Sequence, residues 1–135
     1  MGVIHKFQKS DKEWNWEGVI KKDYPLTSDP GGARGVSVRW LIGREEGAPY
    51  FALRYFEVEP RGQTVLDQHQ HDHGVFILRG KGTVVLGKEK KDVSPGDVIY
   101  IPPMEVHQLI NQGEEIFAFL CIIPNKEHLK SMGAL

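Results

Sequence analysis

The feature that most restricts the fold is a series of short apolar runs between Val36 and Pro124. Each run is rich in Val, Ile, Phe or Tyr, and Gly, Pro or charged residues separate the runs at intervals of about ten residues, which is typical of strands joined by turns. None of the runs has a sustained helical period. The pattern therefore predicts an all-β fold, whose strands are 36–42, 50–58, 74–80, 82–87, 97–102, 107–111 and 115–124.

Turn residues between the runs predict where strands end. The sequence EPRG at 59–62 is expected to end one strand, and KEKK at 88–91 is expected to form a solvated hairpin turn. Several runs are apolar on both faces, as in the last one, where one parity is shared by Phe117, Phe119, Cys121 and Ile123. Such strands predict a sandwich or flattened barrel with one face in the core and the other against another layer or subunit.

The two ends of the chain differ from this pattern. Residues 1–35 carry Trp14 and Trp16 at strand spacing and then a loop rich in Gly and Pro, which predicts an arm packed on the barrel or on a dimer partner. The last residues predict a short helical turn or a frayed end. His5 and His128, near the two ends, are expected to be solvated. The predicted organisation is an N-terminal arm at 1–35, a barrel at 36–124 and a C-terminal tail at 125–135.

Length and charge limit the classes of function. The chain of 135 residues fits one domain, and its single Cys cannot form an internal disulfide. Lys and Arg number 17 against 18 Asp and Glu, so no broad basic field is available to attract nucleic acid. The N-terminus lacks the apolar stretch of a signal peptide, and no part of the chain approaches the length of a membrane span, which predicts a cytoplasmic protein without a membrane partner. Serine-hydrolase, P-loop and CxxC motifs are absent from the sequence.

Histidines form the pattern that carries chemistry. His69, His71 and His73 alternate with polar residues, so in an extended strand all three rings would leave the same face. His107 follows a double proline in a later run, where a returning strand could bring it opposite the first three. Imidazoles without a thiolate suit Mn, Fe, Ni, Co or Zn. The pattern favours a site for one divalent transition metal over solvated surface histidines.

The segment around His107 resembles the second motif of the cupin family. That motif runs Gly, five residues, Pro, one, Gly, two, His, three, Asn, and this chain has Gly96, Pro102, His107 and Asn111 in register. Met104 stands where the family has its second glycine, a position that concerns a turn rather than a ligand.

The first cupin motif is matched less regularly. Anchored on its closing glycine at Gly80, the family pattern places His73 at the usual Glu position, His69 at the second His and Asp67 at the first. A tighter hairpin would instead pair His69 with His71. In either case the resemblance implies three firm ligands, which are His69, His73 and His107. For the fourth ligand we favour His71 over Asp67, because a neutral imidazole suits a borderline cation in an apolar barrel.

The resemblance covers residues 36–124 and implies the cupin fold, a double-stranded β-helix barrel of the jelly-roll type. It also implies a metal inside one open end of the barrel, with Mn or Fe as the first choice and Ni, Co or Zn as alternatives. A six-coordinate ion with four protein ligands would leave two positions for water or substrate. Because most cupins are dimers, a homodimer is expected.

The sequence specifies the reaction less closely than it specifies the fold and the metal site. The segments WNWEGV and LRYFEVEP look similar to bacterial cupins, one of which works on a sulfur-containing sugar phosphate. We expect a metal-dependent enzyme that acts on a small oxygenated metabolite, including sugar phosphates, by isomerase, lyase or dioxygenase-like chemistry. The alternative is a non-catalytic module that binds a metal or small ligand. Candidate residues of the substrate pocket are Arg54, Tyr100, Phe119 and Cys121.

Overall fold

The computed structural model describes residues 1–26 and 29–133. Within that part, eleven strands, one 3₁₀ turn and one short helix confirm the all-β prediction. In chain order the elements are β1 (Phe7–Ser10), β2 (Glu13–Trp16), β3 (Lys21–Asp23), β4 (Arg34–Ile42), the 3₁₀ turn (Arg44–Glu46), β5 (Phe51–Gln63), β6 (His73–Arg79), β7 (Gly82–Leu86), β8 (Glu89–Val93), β9 (Val98–Ile101), β10 (His107–Ile110), β11 (Phe117–Pro124) and α1 (Lys126–Ser131). Residues 27–28 of the predicted arm and 134–135 of the predicted tail lie outside the described residues.

The main sheet is antiparallel and centred on β5. This strand pairs with β4 and β11, and its end pairs with β10 through Gln63 and Ile110. The order continues from β10 to β7 and β8, and from β11 to β6 and β9. Arg61 has a φ of 65° next to a register shift, which is typical of a bulge that bends a strand. The prediction that EPRG ends a strand is therefore wrong, because the chain bends there and β5 continues.

Alternation along the strands gives the sheet a buried inner face and an outer face that is buried only in part. The inner face carries the main core, to which β11 contributes Phe117, Phe119, Cys121 and Ile123. The outer face carries a second cluster around Leu41, Tyr55 and Ala118. The hairpin of β1 and β2 covers this cluster, since the rings of Trp14 and Trp16 lie with centroids 6.0 Å and 4.9 Å from that of Tyr55. The hairpin thus forms a second layer over the sheet.

A polar cluster also lies beneath the hairpin. Glu57 pairs with Arg39 at 3.4 Å and with Arg79 at 3.0 Å. Arg39 donates to Oδ1 of Asn15 at 3.1 Å, and Arg79 donates to the carbonyl of Lys12 at 2.7 Å. One carboxylate therefore compensates two arginines that hold the hairpin on the sheet.

Of two further segments, the predicted turn at 88–91 differs in detail from its prediction, and the tail takes one of its two predicted forms. The turn after β7 consists of Gly87 and Lys88, whereas residues 89–91 belong to β8, whose charged side chains are exposed at the edge of the sheet. The tail forms the short helix α1, whose N-terminus is capped by the side chain of Asn125. Among the described residues, no helix has the length and apolar character needed to span a membrane.

Candidate metal centre

The three firm ligands predicted from the sequence come from separate places in the fold. His107 begins β10, His73 begins β6, and His69 lies in the loop before β6. Reciprocal backbone hydrogen bonds of 3.0 Å and 2.9 Å between Asp67 and His107 tie this loop to β10. The chain bends at 70–71, so the expectation of an extended strand with all three rings on one face is wrong. The bend lets His69 face His73.

The possible donor atoms of His69, His73 and His107 lie within 4.8 Å of one another. Nε2 of His69 is 2.8 Å from Nε2 of His73. Nδ1 of His69 donates to the carbonyl of His71 at 2.8 Å, and Nδ1 of His107 donates to the carbonyl of Glu105 at 2.8 Å. Because a carbonyl only accepts, these bonds place a proton on Nδ1 of each ring. In the neutral form of the ring, Nε2 then carries the lone pair that can bind a metal.

This arrangement fits a divalent transition metal. Bonds from such ions to imidazole are about 2.0–2.1 Å long, so adjacent nitrogens in one coordination shell stand about 3 Å apart. The 2.8 Å between His69 and His73 is close to that value. Two lone pairs at this distance repel each other unless a proton or a cation lies between them. The three imidazole nitrogens, without a thiolate, therefore suit one ion of the first transition series.

His73 is the most strongly perturbed of these rings. Burial, reinforced by His107 and Arg54, lowers the pKa of His73 to about 3, so the ring is neutral near pH 7. Its Nδ1 is 3.0 Å from Sγ of Cys121, and Nη2 of Arg54 donates to the same sulfur at 3.3 Å. Burial raises the pKa of the Cys121 thiol, which keeps it protonated. Cys121 thus contacts a ligand ring through the nitrogen that does not face His69.

Of the described residues, neither candidate for the fourth ligand joins the other three within 4.8 Å. The ring of His71 is stacked on that of His69, with centroids 3.8 Å apart and planes 6° from parallel. The lone pair of an imidazole nitrogen lies in the plane of the ring. Two rings that are stacked in parallel therefore direct their lone pairs along parallel planes and not toward one ion. Oδ2 of Asp67 lies 3.9 Å from Nε2 of His69, and Asp67 lines the same cavity as the three ligands. Position therefore favours Asp67 over His71, and the fourth ligand stays a prediction.

The three histidines line a cavity of about 140 Å³ that adjoins an open groove. Three of the four predicted pocket residues line this cavity, namely Arg54, Phe119 and Cys121. Tyr100 does not line it, because it is 61% exposed on the outer face of β9 and its hydroxyl donates to Asp72 at 2.8 Å. Alternation in β9 explains its position, since the neighbouring Ile99 and Ile101 occupy the inner face.

Sequence reasoning misses two aromatic residues that line the groove, Tyr24 and Trp40. Trp40 on β4 is paired with Arg54 on β5, and its ring centroid lies 5.3 Å from the guanidinium carbon. Trp40 shares its parity with Val36 and Val38 of the inner core. That alternation is the signal that could have placed Trp40 at the site.

Comparisons with known proteins point to one family. Residues 54–123 match the family model described as Cupin domain. The chain is 34% identical over 117 residues to 1-methylthio-D-xylulose 5-phosphate methylsulfurylase of Rhodospirillum rubrum. This alignment covers 87% of this chain and 73% of that protein. It is 29% identical over 126 residues to glucose-6-phosphate isomerase of Pyrococcus abyssi, where it spans 83% of this chain and only 62% of that protein. A crystal structure of a cupin-2 domain from Rhodospirillum rubrum superposes with a TM-score of 0.75 at 33% identity, covering 96% and 90% of the two chains.

Proposed function

Because this chain belongs to the cupin family, we propose that it is a metal-dependent enzyme acting on a small oxygenated metabolite, with sugar phosphates as the favoured class. The observation that carries this proposal is the 2.8 Å separation between the Nε2 atoms of His69 and His73, with His107 as the third donor. The substrate class is supported by two relatives whose names specify sugar phosphates, the methylsulfurylase and the isomerase.

In this proposal, His69, His73 and His107 hold the metal, and Asp67 is the candidate fourth ligand. Mn or Fe is favoured because nitrogen and carboxylate donors without a thiolate suit both ions. When bound, such an ion supplies a Lewis acid for a carbonyl or enediol oxygen. The cavity of about 140 Å³ has roughly the volume of four or five water molecules, so it takes one end of a small metabolite. The remainder of the substrate lies in the groove lined by Trp40.

Metal analysis of the purified protein is the first test. We expect close to one transition-metal ion per chain, and His107→Ala should lose most of it. Wild-type protein is then incubated with glucose 6-phosphate or xylulose 5-phosphate in D₂O, and NMR detects deuterium at the carbon next to the carbonyl, as enediol formation requires. Turnover that a chelator abolishes supports the enzyme. Metal and sugar-phosphate binding without turnover indicates the non-catalytic binding module instead, and full metal content in His107→Ala overturns the site.

The same proposal includes a homodimer, which an apolar patch on the outer face of β6, β9 and β11 supports. Its four side chains are 43%, 72%, 61% and 44% exposed, for Phe76, Val98, Tyr100 and Ile122 respectively. Contiguous exposed apolar side chains are typical of surfaces that contact another protein. Analytical ultracentrifugation should give a dimer for the wild type and a monomer for Val98→Glu, whereas a monomeric wild type would contradict the dimer.

A further inference from the structure

Arg54 is a buried cation that has no carboxylate partner among the residues described by the structure. The residue is 8% exposed, and within residues 1–26 and 29–133 no acidic side chain pairs with its guanidinium. Its Nε is shielded from solvent and has no hydrogen-bond partner in the described part of the chain, and its Nη2 donates to Sγ of Cys121 at 3.3 Å. Sulfur is a weak acceptor, so this bond does not replace the hydration that the charge has lost. The described side chains therefore leave the hydrogen-bonding capacity of the Arg54 guanidinium incompletely used.

Two other arginines packed against the sheet, Arg39 and Arg79, each have a carboxylate partner. Arg39, which is 1% exposed, pairs with Glu57 at 3.4 Å, and Arg79 pairs with the same carboxylate at 3.0 Å. Both lie on the outer face, beneath the hairpin. The chain thus provides a counter-ion for these arginines on the outer face, whereas Arg54 lines the cavity without one in residues 1–26 and 29–133.

Arg54 lines that cavity, and its surroundings occupy the faces of the guanidinium rather than its N–H donors. Its neighbours across the sheet are Trp40 and Cys121, and its guanidinium carbon lies 5.3 Å and 4.8 Å from the ring centroids of Trp40 and Phe56. Aromatic rings hold the flat face of a guanidinium and leave the N–H donors in its plane available. Cys121 links the group to the metal centre, because its sulfur is 3.3 Å from Nη2 of Arg54 and 3.0 Å from Nδ1 of His73.

We infer that Arg54 is an oxyanion-binding subsite, which holds a phosphate or carboxylate group of the substrate beside the metal centre. The planar guanidinium fork matches two oxygens of either group. The groove agrees in charge, since Arg44 and Lys126 line it together with Arg54, against Asp67 and Glu127. The inference rests on the proposed function for the identity of the ligand as substrate, but anion binding is measured separately from turnover and metal content.

The probes are inorganic phosphate and acetate, titrated by calorimetry into the purified, metal-containing full chain. Arg54→Met removes the charge at similar length and should weaken the better-bound anion by about tenfold or more. Arg61→Met is the matched control, because Arg61 is an exposed arginine paired with Glu114 and its loss should leave anion affinity unchanged. Metal content should be equal in Arg54→Met and the wild type, which separates failure of this inference from failure of the metal site.

Stability gives a second readout. Arg54→Met should melt at a higher temperature than the wild type without anion, because an apolar side chain replaces an unpaired buried charge. Added phosphate or acetate should raise the melting temperature of the wild type and not that of the variant. Tighter binding of phosphate assigns the subsite to a phosphate ester, and tighter binding of acetate assigns it to a carboxylate.

If Arg54→Met does not fold, Arg54→Lys replaces it, since it keeps the charge, loses the fork and should weaken anion binding severalfold. Equal anion affinity in the wild type and the Arg54 variant overturns the inference. Failure of both anions to bind the wild type also overturns it.

Discussion

The sulfur of Cys121 lies 3.0 Å from Nδ1 of His73, the ring nitrogen that does not face His69. A metal-binding imidazole needs a partner for its second nitrogen, because that partner fixes the orientation and the tautomer of the ring. His69 and His107 use backbone carbonyls for this purpose, whereas His73 uses a side chain. His73 is therefore the ligand whose support can be removed by substitution.

Cys121→Ala is expected to lower metal affinity by about 10- to 100-fold, because the ring of His73 loses its partner. Cys121→Ser should retain more of the affinity, since its hydroxyl also accepts a hydrogen bond. Competition with a chelator at fixed pH measures both values. Ile123→Ala, on the same face of β11, controls for general loosening of the strand. Wild-type affinity in Cys121→Ala would show that His73 does not depend on the thiol.

The identity of the fourth ligand is tested by two conservative substitutions. Asp67→Asn is expected to lower metal affinity by about tenfold, because Oδ2 of Asp67 lies 3.9 Å from Nε2 of His69. His71→Gln should leave the affinity nearly unchanged, because the His71 ring is stacked parallel to that of His69. Metal content and chelator competition give the comparison. Loss of metal from His71→Gln alone would restore His71 as the fourth ligand.

Much of this centre can be predicted from the sequence because turns and alternation are local properties. Gly96 and Pro102 set the spacing to His107, which the structure brings together with the other two ligands. Parity in β11 likewise places Phe119 and Cys121 in the cavity. The length of β5 is harder to predict from local sequence, because its bend at residue 61 depends on pairing with strands far away in the sequence.

Features that depend on contacts between distant segments could not be predicted in this way. The stacking of His71 on His69 follows from a loop conformation that docking onto β10 determines. The packing of the Arg54 guanidinium against the Trp40 ring depends on the register between β4 and β5, which pairs the two residues. Tyr100 could have been placed on the outer face by alternation, but only once a neighbouring position was known to face the core.

Asn111, the last residue of the second motif, is fully buried and joins three backbone groups. Its Nδ2 donates to the carbonyls of Val58 and Glu115 at 2.9 Å and 2.7 Å, and its Oδ1 accepts from the N–H of Gly113 at 2.9 Å. Asn111→Ala leaves these groups without partners, so the free energy of unfolding should fall by about 3 kcal/mol in urea titrations. The exposed neighbour provides the control, and Gln112→Ala should have little effect. A comparable loss in both variants would contradict this role.

His5 is expected from the sequence to be solvated, but it links the N-terminal segment to the 3₁₀ turn. Its Nε2 is 2.9 Å from Oε2 of Glu46, and its Nδ1 donates to the carbonyl of Glu17 at 2.9 Å. The hydrogen bond to Glu46 and then that to Glu17 raise the pKa of His5 above its ordinary value of 6.5. The folded protein therefore holds this proton more tightly than the unfolded chain does. The resulting stabilisation is complete below pH 6.5 and is lost as the pH rises through the raised pKa.

We expect the melting temperature of His5→Gln to lie further below that of the wild type at about pH 5.5 than at about pH 9. Differential scanning calorimetry at the two pH values measures both differences. His128→Gln, at the other end of the chain, shows how much of any change comes from histidine loss in general. A difference that stays constant with pH would mean that the contact with Glu46 does not depend on the proton.

Glu57 is the carboxylate on which the buried charge beneath the hairpin depends, since it pairs with Arg39 at 3.4 Å and with Arg79 at 3.0 Å. Glu57→Gln keeps the shape of the side chain but leaves two guanidinium groups without a counter-ion, so it should lower the free energy of unfolding by about 3–5 kcal/mol. Glu114→Gln is the matched control, because it breaks an ion pair with Arg61 whose side chains are 84% and 74% exposed, and it should cost less than about 1 kcal/mol. Urea titrations followed by tryptophan fluorescence measure both variants. Equal losses would mean that the tryptophan contacts alone hold the hairpin on the sheet.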